Sequence, residues 1–149
     1  MATAPTQDVL GRDLLLAKFL RATEWDALDL SVPPDDEKRD LRLAAGPDNL
    51  RQALLLRLLT PLGTLSALGH AGYGSRLHEL VGETNTEANR LRARAFVLAA
   101  VAQERRVAEV TALTVAPPPP DQPSLLAITL QVRPVDGGEP VALGLEIGA

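Results

Sequence analysis

The chain closes on Leu126-Ala127-Ile128-Thr129-Leu130-Gln131-Val132-Arg133, then Pro134-Val135-Asp136-Gly137-Gly138-Glu139-Pro140, then Val141-Ala142-Leu143-Gly144-Leu145-Glu146-Ile147. Leu126, Ile128, Leu130 and Val132 alternate with Ala127, Thr129, Gln131 and Arg133, and Val141, Leu143, Leu145 and Ile147 repeat the pattern. Successive side chains of a strand point to opposite faces, so a period of two predicts two strands, each with one apolar face. The Asp-Gly-Gly centre of the linking segment supplies turn chemistry. An antiparallel hairpin over residues 125–147 follows.

Working back toward the N-terminus, Ala116-Pro117-Pro118-Pro119-Pro120 is a stiff spacer without internal hydrogen bonds. Val107–Val115 is rich in Val and Thr and reads as a further strand. Before it the period becomes helical. Thr84-Asn85-Thr86-Glu87 matches a capping box and predicts a helix over 84–104 that starts at Thr84. Leu91, Ala95, Leu98 and Ala102 are expected on its apolar face, flanked by Val97 and Val101, with Arg90, Arg92 and Arg94 elsewhere on the cylinder. Residues 63–83 are a glycine-rich connection. Upstream, Leu50, Ala53, Leu54 and Leu58 recur at helical spacing over 47–60, with Pro47 in the first turn and Asp48 placed to cap it. Leu55, Leu56 and Leu59 widen that apolar face until only Arg51, Gln52 and Arg57 stay polar. Thr60-Pro61 and Gly63 end the helix.

These elements predict an α+β fold: two main helices packed on a small antiparallel β-sheet with a C-terminal hairpin. Asp40–Leu43 leads into this domain, at 41–149, as a short strand or extended segment. Residues 1–40 read as an N-terminal arm, partly irregular. It holds an amphipathic stretch from Asp13 to Trp25 and is broken by Pro33-Pro34-Asp35-Asp36.

A length of 149 residues suits one domain. Only Phe19, Trp25, Tyr73 and Phe96 are aromatic, so the core is aliphatic. The absence of cysteine excludes disulfides and thiolate metal sites. No apolar run approaches the ~20 residues that span a bilayer, and Met1–Asp8 lacks a signal-peptide pattern. The net charge of −4 is unevenly spread: −4 over residues 1–40, +4 over 41–106 and −4 over 107–149. An arginine-rich middle can mark a nucleic-acid patch, but no aromatic stacking platform is interleaved with it.

Most candidate chemistry fails on spacing. His70 and His78 are the only histidines, short of the three or four ligands a zinc site needs. Glu79, Glu83 and Glu87 offer a carboxylate pair for glycoside hydrolysis, yet acids near a helix start usually serve its dipole. Gly69-His70-Ala71-Gly72-Tyr73-Gly74 lacks the Gly-Lys-Ser/Thr ending of a phosphate loop and reads as a tight exposed turn. No serine stands in a Gly-x-Ser-x-Gly elbow.

A larger pattern emerges from the order of short segments. Asp48-Asn49-Leu50-Arg51-Gln52-Ala53-Leu54, Leu58-Leu59-Thr60-Pro61-Leu62-Gly63-Thr64-Leu65 and Gly72-Tyr73-Gly74-Ser75-Arg76-Leu77-His78-Glu79-Leu80 are followed by Asn85-Thr86-Glu87 and Gln103-Glu104-Arg105-Arg106-Val107. In that order they resemble the gene-25/W family of baseplate proteins, over residues 40–147. The family occurs in contractile phage tails, type VI secretion systems and extracellular contractile injection particles. The resemblance implies a structural baseplate-wedge protein that is not an enzyme and needs no cofactor or metal. It implies assembly in the cytoplasm into a phage tail-like particle, some of which are released. The implied partners are the large wedge subunits and the sheath protein, with spike or hub proteins nearby. Small-molecule substrate, nucleic acid and membrane span are not expected.

The family typically carries Glu-Pro-Arg at the end of the second helix, a motif linked to docking on the wedge core bundle. Here Glu104-Arg105-Arg106 keeps the acid and the last base but replaces the proline. The resemblance assigns these three residues to the wedge; Glu104 and Arg106 are charged and sit at a helix exit, where burial without a partner is costly, so they are expected to add little to the fold. It assigns the strand carrying Val141, Leu143 and Leu145 to the first sheath ring. Two rival readings stand beside it. One is a glycan hydrolase, after a lysozyme label that family members carry. The other is a small nucleic-acid-binding module resting on the arginine-rich middle.

Overall fold

The computed structural model describes residues 9–15 and 43–148. Strands β1 (Arg12–Leu14) and β2 (Leu43–Ala45) form a two-stranded antiparallel sheet. Helices α1 (Gly46–Leu59) and α2 (Glu87–Val101) follow, and β3 (Val107–Val115), β4 (Leu126–Pro134) and β5 (Val141–Ile147) form a second antiparallel sheet in the order β3-β4-β5. The fold is α+β, as expected. Of the expected arm at 1–40, only 9–15 falls within the described residues, where 12–14 is strand. Residues 16–42 lie outside them, and with them most of the Asp13–Trp25 stretch and the Asp40–Arg42 lead-in.

The hairpin forms where the alternation places it. Leu126 faces Ile147, Ile128 faces Leu145, Leu130 faces Leu143 and Val132 faces Val141. All eight side chains are buried. At the turn Gly137 adopts φ +75°, and the Asp136 carboxylate accepts the Gly138 N–H at 2.9 Å.

Strand β3 departs from a strict period of two. Val107, Val110 and Leu113 turn inward at intervals of three, because register shifts between Val107 and Glu109 and between Val110 and Ala112 each insert a residue. An extra residue re-aims every side chain after it. A sequence alternation cannot show this, since the bulges exist only in relation to β4.

Helix α1 buries Leu50, Leu54 and Leu58 of the predicted stripe, and Ala53 is half-buried. Asp48 does not cap it: Ala45 is the N-cap with no side-chain bond, and Asp48 pairs with Arg51 instead. Gln52, expected to stay polar and outside, is buried together with Asn49. Asn49 donates to the Leu10 carbonyl and Gln52 to the Leu14 carbonyl, each at 2.8 Å, so these amides fasten the N-terminal strand to the helix. At the other end Thr60 bonds back to Leu56 through its N–H and its hydroxyl. Buried Ser75 donates to the Leu58 carbonyl. The glycine-rich connection is therefore only partly the exposed turn expected: 69–72 are exposed, while Gly74 and Ser75 are packed under the end of α1.

Helix α2 corrects two expectations. Its cap is Thr86, whose hydroxyl accepts the Asn89 N–H at 3.2 Å, and not Thr84. Asn85, just before it, donates to the carbonyls of Ala116 and Leu125 at 3.0 and 2.6 Å, which clamps the chain on both sides of the proline spacer. The helix also ends at Val101, short of 104. Its buried face is Ala93, Val97, Ala100 and Val101, whereas Leu91, Ala95, Leu98 and Ala102 stay exposed. Alanines at 93 and 100 let the helix approach a core already filled by leucine and isoleucine.

Candidate functional site

Two places bring together the residues that the sequence singles out: the exit of α2 and the outer edge of β5.

After Val101 the chain leaves α2 through hydrogen bonds from Gln103 N–H to Ala100 and from Glu104 N–H to Val101. This turn points Glu104 inward, where only 8% of it is exposed. Arg106 reaches back across the turn and grips it with two parallel bonds, Nε to Oε1 at 2.8 Å and Nη2 to Oε2 at 3.0 Å. Such a fork matches the carboxylate geometrically. The remaining Arg106 Nη1 donates to the Leu10 carbonyl at 3.1 Å. Arg57, from the last turn of α1, approaches Glu104 Oε2 at 3.8 Å and lies 4.6 Å above the Tyr73 ring. Its Nε is buried without a hydrogen-bond partner among the described residues.

The charges set the titration of this cluster. Burial alone raises the Glu104 carboxyl. The hydrogen bonds from the Arg106 side chain and backbone, with the charges of Arg106 and Arg57, outweigh it and hold the carboxyl below its ordinary value. Arg106 is raised, chiefly by its bond to Glu104. Burial pushes the Tyr73 phenol up, against the lowering by Arg57.

Glu104 and Arg106 thus belong to the fold itself, correcting the expectation that they add little to it. Their groups are satisfied within the chain, across three elements. Of the expected triplet, Arg105 alone is exposed. Sequence reasoning missed Arg57, Tyr73 and the Leu10 carbonyl. The one available signal was an arginine near the end of an otherwise leucine-filled turn of α1.

The second place is the sheet edge. Val141, Leu143 and Leu145 point their side chains into the core, so this strand can meet a partner only through its backbone and its outer side chains. In an antiparallel pair the N–H and C=O of one residue point the same way, and the direction alternates along the strand. The Ala127 carbonyl accepts from Ala116 on the β3 side at 2.9 Å, which leaves Ala127 and its neighbours at every second position turned away from β5. Their partners Ala142, Gly144 and Glu146 consequently aim N–H and C=O outward. The Ala142 carbonyl confirms the direction, since it accepts from Arg51 Nε at 3.0 Å. Helix α2 does the same at the opposite edge, where Arg94 donates to the Leu113 carbonyl at 2.6 Å.

The hydrolytic candidates do not gather. Glu79 is bound by Arg76 at 2.6 Å, and that bond holds its carboxyl below the usual range. A general acid for glycoside cleavage needs the opposite shift. Glu83 and Glu87 are exposed, as are His70 and His78. Among the described residues no three His, Asp or Glu side chains are grouped to hold a metal ion, and no helix is long and apolar enough to cross a membrane.

No family profile and no curated protein matches the chain. A solved structure does: a protein of Geobacter sulfurreducens named as a tail lysozyme, with 16% identity and a TM-score of 0.59. The match covers 73% of this chain and 96% of that one. At this identity the likeness is one of fold.

Proposed function

We propose that this chain is a structural baseplate-wedge component of a contractile injection machine and acts by assembly, not by catalysis. The observation that carries the reading is the outer edge of β5. It presents the outward backbone groups of Gly144 and Glu146 beyond the Ala142 carbonyl that Arg51 occupies, and strand β5 itself has no proline after Pro140 and bears Glu146 as its sole charge. Edges left without charge or proline invite an added strand, and a strand of the sheath protein is the occupant proposed here. The fold likeness to a protein named as a tail lysozyme supports a tail-related role coarsely. The exit of α2 is the proposed seat of the large wedge subunits, with Arg105 as the side chain free to reach them. In this reading the protein is assembled in the cytoplasm into a phage tail-like particle.

The test is Gly144→Pro in the full chain, with Gly144→Ala as control. Gly144 lies outside the left-handed region and an added Cβ meets nothing within 4 Å, so the alanine variant keeps the fold, and the proline variant is scored for assembly once its melting temperature matches the parent's. Proline removes one outward donor, which edge strands tolerate. The proline variant joins the baseplate but sheath no longer polymerises on it, while the alanine variant behaves as the parent. Normal sheath assembly on the proline variant overturns the platform role. For the wedge, Arg105→Glu leaves the melting temperature unchanged and abolishes co-purification with the wedge subunits. Release of soluble fragments from peptidoglycan by the purified chain, lost in Glu79→Gln, overturns the non-catalytic reading.

A further inference from the structure

Every copy of this chain carries the same outer edge of β5, and two identical edges related by a two-fold axis are a ready pairing. Edges with free backbone groups associate in this way. An edge kept open for another protein must therefore be closed to its own copy. Two residues meet that need.

The first is Arg51, in the second turn of α1. Its Nε donates to the Ala142 carbonyl at 3.0 Å. Asp48, one turn earlier, binds its Nη1 and braces it there. A guanidinium on this carbonyl obstructs another backbone at Ala142. The second is Glu146, which is exposed and which no cation among the described residues pairs with. Like charges opposite each other across a strand pair repel, and long side chains also reach their diagonal neighbours.

Ala142, Gly144 and Glu146 are the outward positions, so any two-fold antiparallel register joins them to one another. Centred on Gly144, the register pairs Ala142 with Glu146 of the second copy, twice, and Arg51 stands in both places. Centred on Leu145, it pairs Gly144 with Glu146 and leaves the two Glu146 side chains diagonal to each other. Centred on Glu146, it sets them directly opposite. Centred on Ala142 or Leu143, it again needs the carbonyl that Arg51 holds. A parallel in-register pair sets Glu146 beside Glu146. The other edge of the sheet is blunted differently: β3 has register shifts between Val107 and Glu109 and between Val110 and Ala112, and Arg94 donates to its Leu113 carbonyl. Bulges and covering groups of this kind also obstruct stacking of β5 on the β3 of a second copy.

We infer that Arg51 and Glu146 close the outer edge of β5 to a second copy of this chain, Arg51 by holding the Ala142 carbonyl and Glu146 by its charge. A strand of another protein is refused by neither when it pairs at Gly144 and Glu146 and carries no acid opposite or diagonal to Glu146. The inference concerns the isolated chain and does not rest on the baseplate reading. Its test uses no sheath, so the two fail separately.

The experiment measures self-association of the full chain by sedimentation equilibrium. The parent is monomeric. Arg51→Ala and Glu146→Gln each form a concentration-dependent dimer at least about tenfold tighter than any of the parent, since each change acts twice in a two-fold pair. A melting temperature matching the parent's shows that each variant is folded. Arg51→Met, which keeps the alkyl stem, repeats the test should alanine lower it. The chain has no cysteine, and a Cβ added at Gly144 meets nothing within 4 Å, so Gly144→Cys supplies a lone thiol at the centre of the register that Arg51 blocks. Directly opposed residues of an antiparallel pair lie within disulfide reach. With diamide as oxidant, Gly144→Cys combined with Arg51→Ala cross-links at least about tenfold faster than Gly144→Cys alone, following the tighter dimer. Equal cross-linking of the two overturns the proposal, because Arg51 then closes nothing. So does either single variant that stays monomeric, and so does a parent that dimerises as tightly as the variants.

Discussion

Arg106 donates from Nη1 to the carbonyl of Leu10 at 3.1 Å, across a separation of 96 residues. The same guanidinium closes both bonds to Glu104, so one side chain ties the N-terminal segment to the exit of α2. Only a planar fork with donors on several sides can do this.

Arg106→Lys should therefore fail as a conservative change. A lysine ammonium can meet Glu104 or Leu10 but not both. The expected loss is about 1–2 kcal/mol in urea unfolding, and Arg106→Ala loses about 3 kcal/mol because Glu104 stays buried without its partner. A lysine variant as stable as the parent would remove the bridging role.

Glu104 also sets a pH dependence. Its carboxyl is held below the ordinary range in the folded chain, so the unfolded chain takes up its proton first as pH falls. The stabilisation is present above the unfolded carboxylate value, near pH ~4.3, and is lost as pH falls through the lower folded value. Comparison of the parent with Glu104→Gln by thermal melting should show a constant gap above about pH 5 that closes in acid. A gap that widens on acidification would contradict this assignment.

Gly74 is required by its surroundings. Its φ is +114°, and an added Cβ would lie 2.6 Å from the Thr60 carbonyl oxygen. Gly74→Ala should cost more than about 2 kcal/mol, from backbone strain and a clash at the end of α1. Gly72→Ala, where a Cβ meets nothing within 4 Å, should be near neutral. Equal melting temperatures for the two variants would refute this account.

The start of α2 is testable in the same way. Thr86→Ala removes the hydroxyl that accepts the Asn89 N–H and should cost about 1 kcal/mol. Thr84 contributes its backbone carbonyl to the Asn89 side chain, so Thr84→Ala should leave stability almost unchanged. The reverse order would restore the cap to Thr84.

The local elements were legible in the residues because their causes are local. Alternation over 126–133 and 141–147 specifies strands, Asp136-Gly137-Gly138 specifies the turn, and the leucine stripe of α1 specifies its buried face. None of these requires knowledge of a neighbour. The tertiary structure decided what depends on a second element. Helix α2 is apolar on two sides, and only contact with the core selected Ala93, Val97, Ala100 and Val101 over Leu91, Ala95, Leu98 and Ala102. Glu104 reads as a surface charge until the turn after Val101 places it against Arg106 and beside Arg57. The outward direction of Ala142, Gly144 and Glu146 is a property of the pairing between β4 and β5, since one residue of slip would exchange every inward group for an outward one.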